Sequence, residues 1–351
     1  MYREQSEEKN KNVDKEPTSY TQEHTQMLFD NDKSLGTAKN QSELDELLKR
    51  YTPPYDPLYI CLSTRFDLEK QRQWLEATWM ECRQFADRDF VSKFKKECHQ
   101  RIWELCLGIT LHRKWSLQPK SKSTGPDFKT ILNTNKGPQT VWTEAIAIEK
   151  GKFSNKVPEM VINGVGELPE DEMLLRLTNG LDKKYKGYCD YVKKGIVGAD
   201  DPYIIAINRS ELEHLDPQIP LILKCLFRLG YQVVFTAQGK SGVKATESLW
   251  TSKEYIMKKK ESDSNLLAEE QTYEKIPMDF FDNPEHSEIS AVIYAETDII
   301  KSPISPEEMG DDFTIVLNPH ANKPLPEELL TFGNIWRKEG NSVTRQKRFD
   351  C

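Results

Sequence analysis

The sequence predicts an α/β fold in which helices flank a mixed central β-sheet. Apolar residues recur every three or four positions between residues 90 and 115, which is the spacing of a helix. Short apolar and β-branched runs, such as residues 140–148 and 202–208, are typical of buried strands. Helix-like and strand-like segments alternate along the chain, and this order is typical of an α/β protein.

The composition indicates a folded protein with a substantial core. Of the 351 residues, 37% are hydrophobic and 30% are charged, which excludes collagen-like, low-complexity and wholly disordered chains. The net charge of −7 at pH 7 excludes the general basicity that drives non-specific binding to nucleic acid. Because no apolar run reaches the roughly 18 residues of a membrane span and the first residues do not resemble a signal peptide, we expect a cytoplasmic protein without a membrane partner.

The cysteines and histidines form no recognisable metal or disulfide motif. The seven cysteines are scattered without a CxxC pair, and the six histidines form no HxH or HExxH unit. Cys98, Cys106 and Cys225 fall within apolar patterns, where a free cysteine usually behaves as a small buried hydrophobe. These features predict a protein of a reducing compartment.

The first 87 residues combine a polar tail with helices. Residues 1–40 are predicted to be disordered, because they cannot bury enough apolar surface to offset the entropy of ordering. This tail is a candidate segment for binding a protein partner. Residues 41–87 are predicted to hold a short capped helix that stops before the Pro53–Pro54 pair, and an amphipathic helix over residues 67–85.

A long helix predicted from Asp89 to Trp115 is apolar on two sides. Two apolar stripes indicate burial on more than one face, and the narrow polar face between them carries Arg101 and Glu104. A buried carboxylate is costly without a partner, so Glu104 needs Arg101 or a metal ion. An ordinary ion pair on the helix is the simpler interpretation of Glu104 taken alone. Gly108, one turn later, would let another backbone approach.

Two further acids lie in a predicted β-hairpin. Its strands cover residues 125–132 and 140–148, with turn-forming residues between them. Asp127 opens the first strand, and Glu144 lies in the middle of the second. A buried strand with the sequence TVWTEAIAI does not carry a carboxylate without a reason, so Glu144 is a second unusual acid after Glu104.

The rest of the chain is predicted to complete the sheet. Residues 241–275 form a polar insert, and residues 276–351 contribute strands that complete or extend the core. The predicted elements are helices over 171–192 and 217–229, the second capped by Gly230, and strands over 202–208, 231–236, 289–294 and 313–317.

Three segments together resemble the PD-(D/E)XK nuclease superfamily. They are WELCLG with Glu104, GPDF with Asp127 and VWTEAIA with Glu144, and the resemblance covers about residues 88–240. It implies a restriction-endonuclease-like core, and the segments after residue 276 resemble part of uncharacterised bacterial proteins that carry this core. It further implies that Asp127 and Glu144 bind Mg²⁺ or Mn²⁺, with Glu104 as a third ligand or as the residue that positions a water. The implied activity is hydrolysis of phosphodiester bonds, in nucleic acid rather than in a small molecule.

The chain departs from the superfamily pattern at one position. Superfamily members carry a lysine two positions after the second acid, where this sequence has Ile146. We expect Lys184, on a predicted helix that also places Arg176 on roughly the same face, to take the role of that lysine. Lys129 and Lys114 are the alternatives. A solvated helix lysine is the ordinary interpretation of Lys184.

The sequence therefore supports three hypotheses. The first is a metal-dependent nuclease-like hydrolase. The second is a catalytically inactive nuclease-like module that binds nucleic acid or a protein partner, which the missing lysine and the net charge of −7 favour. The third is an interaction protein in which the acids are only structural ion-pair partners.

Overall fold

The computed structural model describes ten segments of the chain. They are residues 26–29, 35–120, 124–134, 137–160, 166–214, 219–238, 244–260, 272–300, 308–340 and 342–346. Much of the predicted disordered tail lies outside the described residues. For its described part the prediction is wrong, because Leu28, Leu35 and Ala38 are buried. The Leu28 backbone N–H also donates to the Glu76 carboxylate at 3.1 Å.

Helices and strands alternate much as the sequence predicts. Within the described residues, the helices are α1 (Gln41–Tyr51), α2 (Pro57–Thr64), α3 (Glu69–Cys82), α4 (Phe90–Phe94), α5 (Cys98–Lys114), α6 (Glu170–Lys193) and α7 (Ile222–Phe227). The strands are β1 (Phe128–Thr134), β2 (Gly137–Ala147), β3 (Tyr203–Asn208), β4 (Leu229–Gln238), β5 (Lys244–Ser252), β6 (Tyr255–Lys259), β7 (Tyr273–Pro277), β8 (Ile289–Ala295), β9 (Thr314–Leu317), β10 (Asn334–Glu339) and β11 (Ser342–Gln346).

A seven-stranded mixed sheet forms the centre of the fold. Its order is β1-β2-β3-β8-β9-β10-β11, while β4-β5 and β6-β7 form two separate hairpins. The pairs β2-β3, β3-β8 and β9-β10 are parallel, and the other neighbours are antiparallel. The predicted α/β class with a mixed central sheet is therefore confirmed.

Two apolar layers cover the two faces of this sheet. Successive side chains of a strand point to opposite faces, and β3 is buried along its whole length. Ile204 and Ala206 pack with α3 and α5, whereas Ile205 and Ile207 pack with α6 and α7. Each face thus has its own helical layer. As predicted, the cysteines of these layers are buried and free: Cys98, Cys106 and Cys225.

The predicted single helix over residues 89–115 is two helices. Helix α4 ends at Phe94 and α5 begins at Cys98. The Asp56 carboxylate stabilises the break, because its Oδ2 accepts a hydrogen bond from the Cys98 backbone N–H at the start of α5, at 3.0 Å. Its Oδ1 accepts one from the Leu58 N–H at 2.8 Å, so this aspartate caps both α2 and α5. Helix α2 lies in a segment that the sequence analysis did not assign to a helix.

The predicted helix over residues 217–229 is shorter than expected. Helix α7 ends at Phe227, and the φ of 54° at the next residue, Arg228, places that residue in the left-handed region. The prediction of Gly230 as the cap is wrong, because this glycine lies in β4, where a Cβ atom would come within 2.4 Å of Thr251 Oγ1. The sequence predicted β4 as a strand, but it pairs with β5 outside the central sheet.

The C-terminal part supplies strands to the middle of the sheet. Strand β8 pairs with β3 in parallel, although the two strands lie about 80 residues apart in the sequence. The predicted β8 and β9 are present, and the sequence analysis did not predict β10 and β11. The described part of the predicted polar insert contains β5, β6 and the start of β7. Among the described helices, none combines the length and the apolar character needed to cross a membrane.

Candidate functional site

A cleft of about 820 Å³ lies where α5, α6 and β2 meet. All four residues that the sequence analysis singled out line this cleft: Glu104, Asp127, Glu144 and Lys184. They come from the buried helix, from the start of β1, from the middle of β2 and from α6. The structure therefore brings together side chains that are up to 80 positions apart in the sequence.

The β1-β2 hairpin brings Asp127 and Glu144 together. The preceding turn contains Gly125, whose φ of +127° is strained for any residue with a side chain. Pairing of Phe128 with Thr143 sets the register that brings Asp127 beside Glu144. Asp127 Oδ2 accepts a hydrogen bond from the Ala145 N–H at 2.7 Å. The Asp127 N–H in turn donates to Glu144 Oε2 at 3.2 Å, so each acid holds the other in place.

Lys184 reaches the hairpin from α6. Its Nζ donates to Glu144 Oε1 at 2.8 Å. This contact requires α6 to lie close to β2, and Gly180, one turn earlier, permits it: a Cβ atom there would lie 2.5 Å from Ile148 Cδ1. Arg176 lines the same cleft, as predicted from its helical spacing, and its Nε donates to the Glu149 carbonyl at 2.9 Å.

The two alternative lysines lie outside the cleft. Lys129 Nζ lies 5.3 Å from the centroid of the Trp142 ring, and Lys114 Nζ lies 3.9 Å from Asp311 Oδ1. Neither side chain lines the cleft. Lys184 is therefore the one of the three predicted lysines that contacts a hairpin acid.

Glu104 has the arginine partner that the sequence analysis expected. Arg101 Nη1 lies 2.9 and 2.7 Å from the two carboxylate oxygens of Glu104, and both side chains are about 10% exposed. The expectation that a backbone would approach at Gly108 is wrong, because the Phe128 ring fills this space. A Cβ atom on the glycine would lie 3.1 Å from Phe128 Cε1.

Gln100, which no sequence pattern singled out, links α5 to β2. Its Nε2 donates to Glu104 Oε1 at 2.9 Å and to the Ala145 carbonyl at 3.2 Å, and its Oε1 accepts from the Ala147 N–H at 2.7 Å. The i, i+4 spacing between the glutamine and Glu104 is the signal that could have identified it.

Burial and charge shift the titration of the acids. Burial, together with the negative charge of Asp127, raises the pKa of Glu104 and of Glu144 to about 7. Arg101 and Lys184 oppose this rise without cancelling it. Burial alone would lower the pKa of Lys184, but the negative charges of Glu144 and Asp127 outweigh it and keep that pKa raised. The lysine is therefore a cation at neutral pH.

Asp127 and Glu144 are the two carboxylates of the cleft that would hold a divalent metal ion. Mg²⁺ prefers oxygen ligands, keeps several waters and needs one or two carboxylates, and Asp127 and Glu144 supply two neighbouring ones. The pKa of Glu144 is raised partly by repulsion from Asp127, which a bound cation would relieve. In the described part of the chain, no group of three or more His, Cys, Asp or Glu residues is placed to hold a metal. This agrees with the engagement of Glu104 by Arg101.

Further basic side chains line the cleft beside these groups. They are Lys93, Lys96, Lys183 and Lys194, in addition to Arg176. Acidic side chains are interspersed: Asp56, Asp87, Glu97, Glu149 and Glu211. The cleft is thus a polar surface of mixed charge, with lysines on several sides of the carboxylates.

No protein-family model matches this chain, and searches of the curated proteins and of the solved structures gave no match. The case for a function therefore depends on the residues of the cleft and their contacts.

Proposed function

We propose that this protein is a metal-dependent phosphodiester hydrolase with a nuclease-like, restriction-endonuclease-like core. The observation that carries the proposal is the 2.8 Å contact between Lys184 Nζ and Glu144 Oε1. Lys184 thus places a cation beside Glu144, which the apolar Ile146, at the position of the usual lysine, cannot do. With Asp127 bound across the same hairpin, the three side chains form the Asp, Glu and Lys set that resembles the PD-(D/E)XK pattern.

Each residue has a role in this proposal. Asp127 and Glu144 hold Mg²⁺ or Mn²⁺, which would neutralise phosphate charge and lower the pKa of a bound water. Lys184 orients Glu144 and stabilises negative charge that develops on the phosphoryl oxygens. Of the two roles expected for Glu104, we assign it the positioning of water, because Arg101 and Gln100 already fix its carboxylate.

The proposed substrate is a nucleic acid. The Lys and Arg side chains that line the cleft supply cationic partners for phosphate groups. They are interspersed with a similar number of carboxylates, so individual lysines rather than a net positive charge of the cleft support the binding of nucleic acid.

Cleavage assays test this proposal. Single-stranded and double-stranded DNA and RNA are incubated with the protein in Mg²⁺ or Mn²⁺. We expect cleavage that EDTA abolishes and that falls by about 10²-fold or more in Asp127→Ala, Glu144→Ala and Lys184→Ala. Lys186→Ala is the matched control, because Lys186 is exposed on the same helix and does not line the cleft. Cleavage by Asp127→Ala at the wild-type rate would overturn the proposal.

An inactive module that binds nucleic acid or a protein is the second candidate. The observation that favours it is the charge pairing of the cleft, since Arg101 neutralises Glu104 and Lys184 neutralises Glu144. In that case the wild type binds a partner in EDTA and cleaves no substrate. The purely structural hypothesis gains support only if no cleft holds the three acids, and all three line one cleft.

A further inference from the structure

A serine, a histidine and a glutamate form a chain of contacts beside this cleft. Ser210 Oγ lies 3.0 Å from His99 Nε2, and His99 Nδ1 lies 3.3 Å from Glu211 Oε1. His99 and Glu211 line the cleft, whereas Ser210 lies next to it and is buried, with 9% of its surface exposed. A hydroxyl within hydrogen-bond distance of an imidazole, which a carboxylate in turn orients, is the arrangement of an activated nucleophile.

The fold fixes these three residues from two elements. Ser210 and Glu211 lie in a 3₁₀ helix, Ser210–Leu212, that directly follows the parallel strand β3. The carboxyl ends of parallel strands are where α/β proteins place their functional groups. The Ser210 N–H donates to Asn208 Oδ1 at 3.2 Å, which holds the turn. His99 lies in the first turn of α5, next to Gln100.

A histidine can accept a proton only in its neutral state. Burial lowers the pKa of His99 to about 4, so its ring is neutral at pH 7. A proton on Nδ1, facing Glu211, leaves Nε2 free to accept the hydrogen bond from the serine hydroxyl. Burial and the nearby charges of Glu149 and Asp56 raise the pKa of Glu211 to about 7, so its carboxylate forms in the neutral range.

We propose that Ser210 is the nucleophile, His99 the general base and Glu211 the positioning residue of a second site, which hydrolyses carboxylic esters. This proposal is independent of the phosphodiesterase activity proposed above and needs no metal ion. Charged side chains such as Lys96 and Glu97 line the same cleft as His99, so the site fits polar esters better than long acyl chains.

The proposed reaction has two steps. In the first, the serine oxygen bonds to the ester carbonyl carbon as its proton passes to His99 Nε2. The bond from that carbon to the alcohol oxygen then breaks, and the alcohol leaves with the proton. In the second, water attacks the acyl-serine, His99 accepts its proton, and the serine oxygen recovers a proton as the carboxylic acid leaves.

A fluorophosphonate probe tests the nucleophile in the full chain. The serine oxygen bonds to phosphorus, fluoride leaves, and the proton passes through the histidine to solvent. We expect a mass increase on the peptide that contains Ser210, unaffected by excess EDTA and absent in Ser210→Ala and His99→Gln. Ser92→Ala is the control, because Ser92 is an exposed serine whose hydroxyl bonds the Asp89 carbonyl. Folded wild-type protein without a label on Ser210 would overturn the proposal whatever the variants do.

Hydrolysis of p-nitrophenyl acetate tests the positioning residue. We expect Glu211→Gln to lower kcat at least 10-fold with KM nearly unchanged, and Glu211→Asp to restore part of kcat. A kcat that Glu211→Gln leaves unchanged would show that the carboxylate does not orient His99, and would overturn its assigned role.

Discussion

Glu104 and Glu144 are buried carboxylates, and each contacts a cationic side chain at a different distance along the sequence. Arg101 lies three residues from Glu104 on the same helix, so helical spacing could predict that pair. Lys184 lies 40 residues from Glu144 and was expected only because Ile146 occupies the position of the usual lysine. Ser210 and His99 carry no such signal, because their contact depends on how β3 and α5 pack.

The buried Arg101–Glu104 pair should be far more important for stability than the more exposed pair between Arg113 of α5 and Glu81 of α3. Arg101→Ala leaves a buried carboxylate without its arginine, so we expect it to lower the free energy of unfolding by about 3 kcal/mol. Arg113→Ala, which removes a partly exposed contact with Glu81, should cost about 0–1 kcal/mol. Urea unfolding at pH 7 measures both values. Equal costs for the two variants would contradict this view of the cleft.

Glu144 should make stability fall as the pH rises. Its folded pKa of about 7 lies above its ordinary value of 4.5, so between these values the folded protein retains a proton that the unfolded chain has lost. The stabilisation is present below about pH 4.5 and is lost as the pH approaches 7. Glu144→Gln cannot titrate, so the stability difference between wild type and variant should change by roughly 1–3 kcal/mol between pH 5 and pH 8 in EDTA.

The control for this measurement is Glu81→Gln. Arg113 holds the pKa of Glu81 below its ordinary value, so that carboxylate is ionised throughout the range. The stability difference for this variant should be constant between pH 5 and pH 8. A similarly constant difference for Glu144→Gln would show that its carboxyl is not perturbed by burial.

At the level of elements, the sequence predicted most of the helices and strands around the cleft, but it missed α2 and several boundaries. The hairpin β1-β2, helix α6 and strand β3 follow from apolar patterns alone. The break between α4 and α5 does not, because Asp56, far away in sequence, supplies the cap. The short α7 ends at Phe227 because Arg228 after it is left-handed, a conformation that the arginine does not signal in the sequence.

Helix α6 can take its position only because residue 180 is a glycine. Gly180→Val should push the helix away from Ile148 and lower the free energy of unfolding by about 1–3 kcal/mol more than Gly187→Val. Gly187 is the matched control, because a Cβ atom there would meet no atom within 4 Å, so its variant reports helix propensity alone. Denaturant midpoints measure the difference. If the two valines cost the same, close packing of α6 on β2 does not hold Lys184 at the hairpin.

At the scale of the whole molecule, one sheet between two apolar layers creates the cleft at its β2 side. The sequence predicted the class and the order of the early elements, because each is locally amphipathic or apolar. It did not predict β10 and β11, because these strands are rich in polar residues and lack the apolar run of a buried strand. Nor did it predict that β8 would lie beside β3, because the choice of strand neighbours depends on contacts distant in sequence.

The most direct test of the proposed function is calorimetric titration of the protein with Mn²⁺ at pH 7.5. We expect the wild type and Lys186→Ala to bind one ion per chain, and Asp127→Ala and Glu144→Ala, shown to be folded by circular dichroism, to lose this binding. The proposed hydrolase site would be contradicted if the wild type bound no Mn²⁺, or if Asp127→Ala and Glu144→Ala bound it with wild-type affinity.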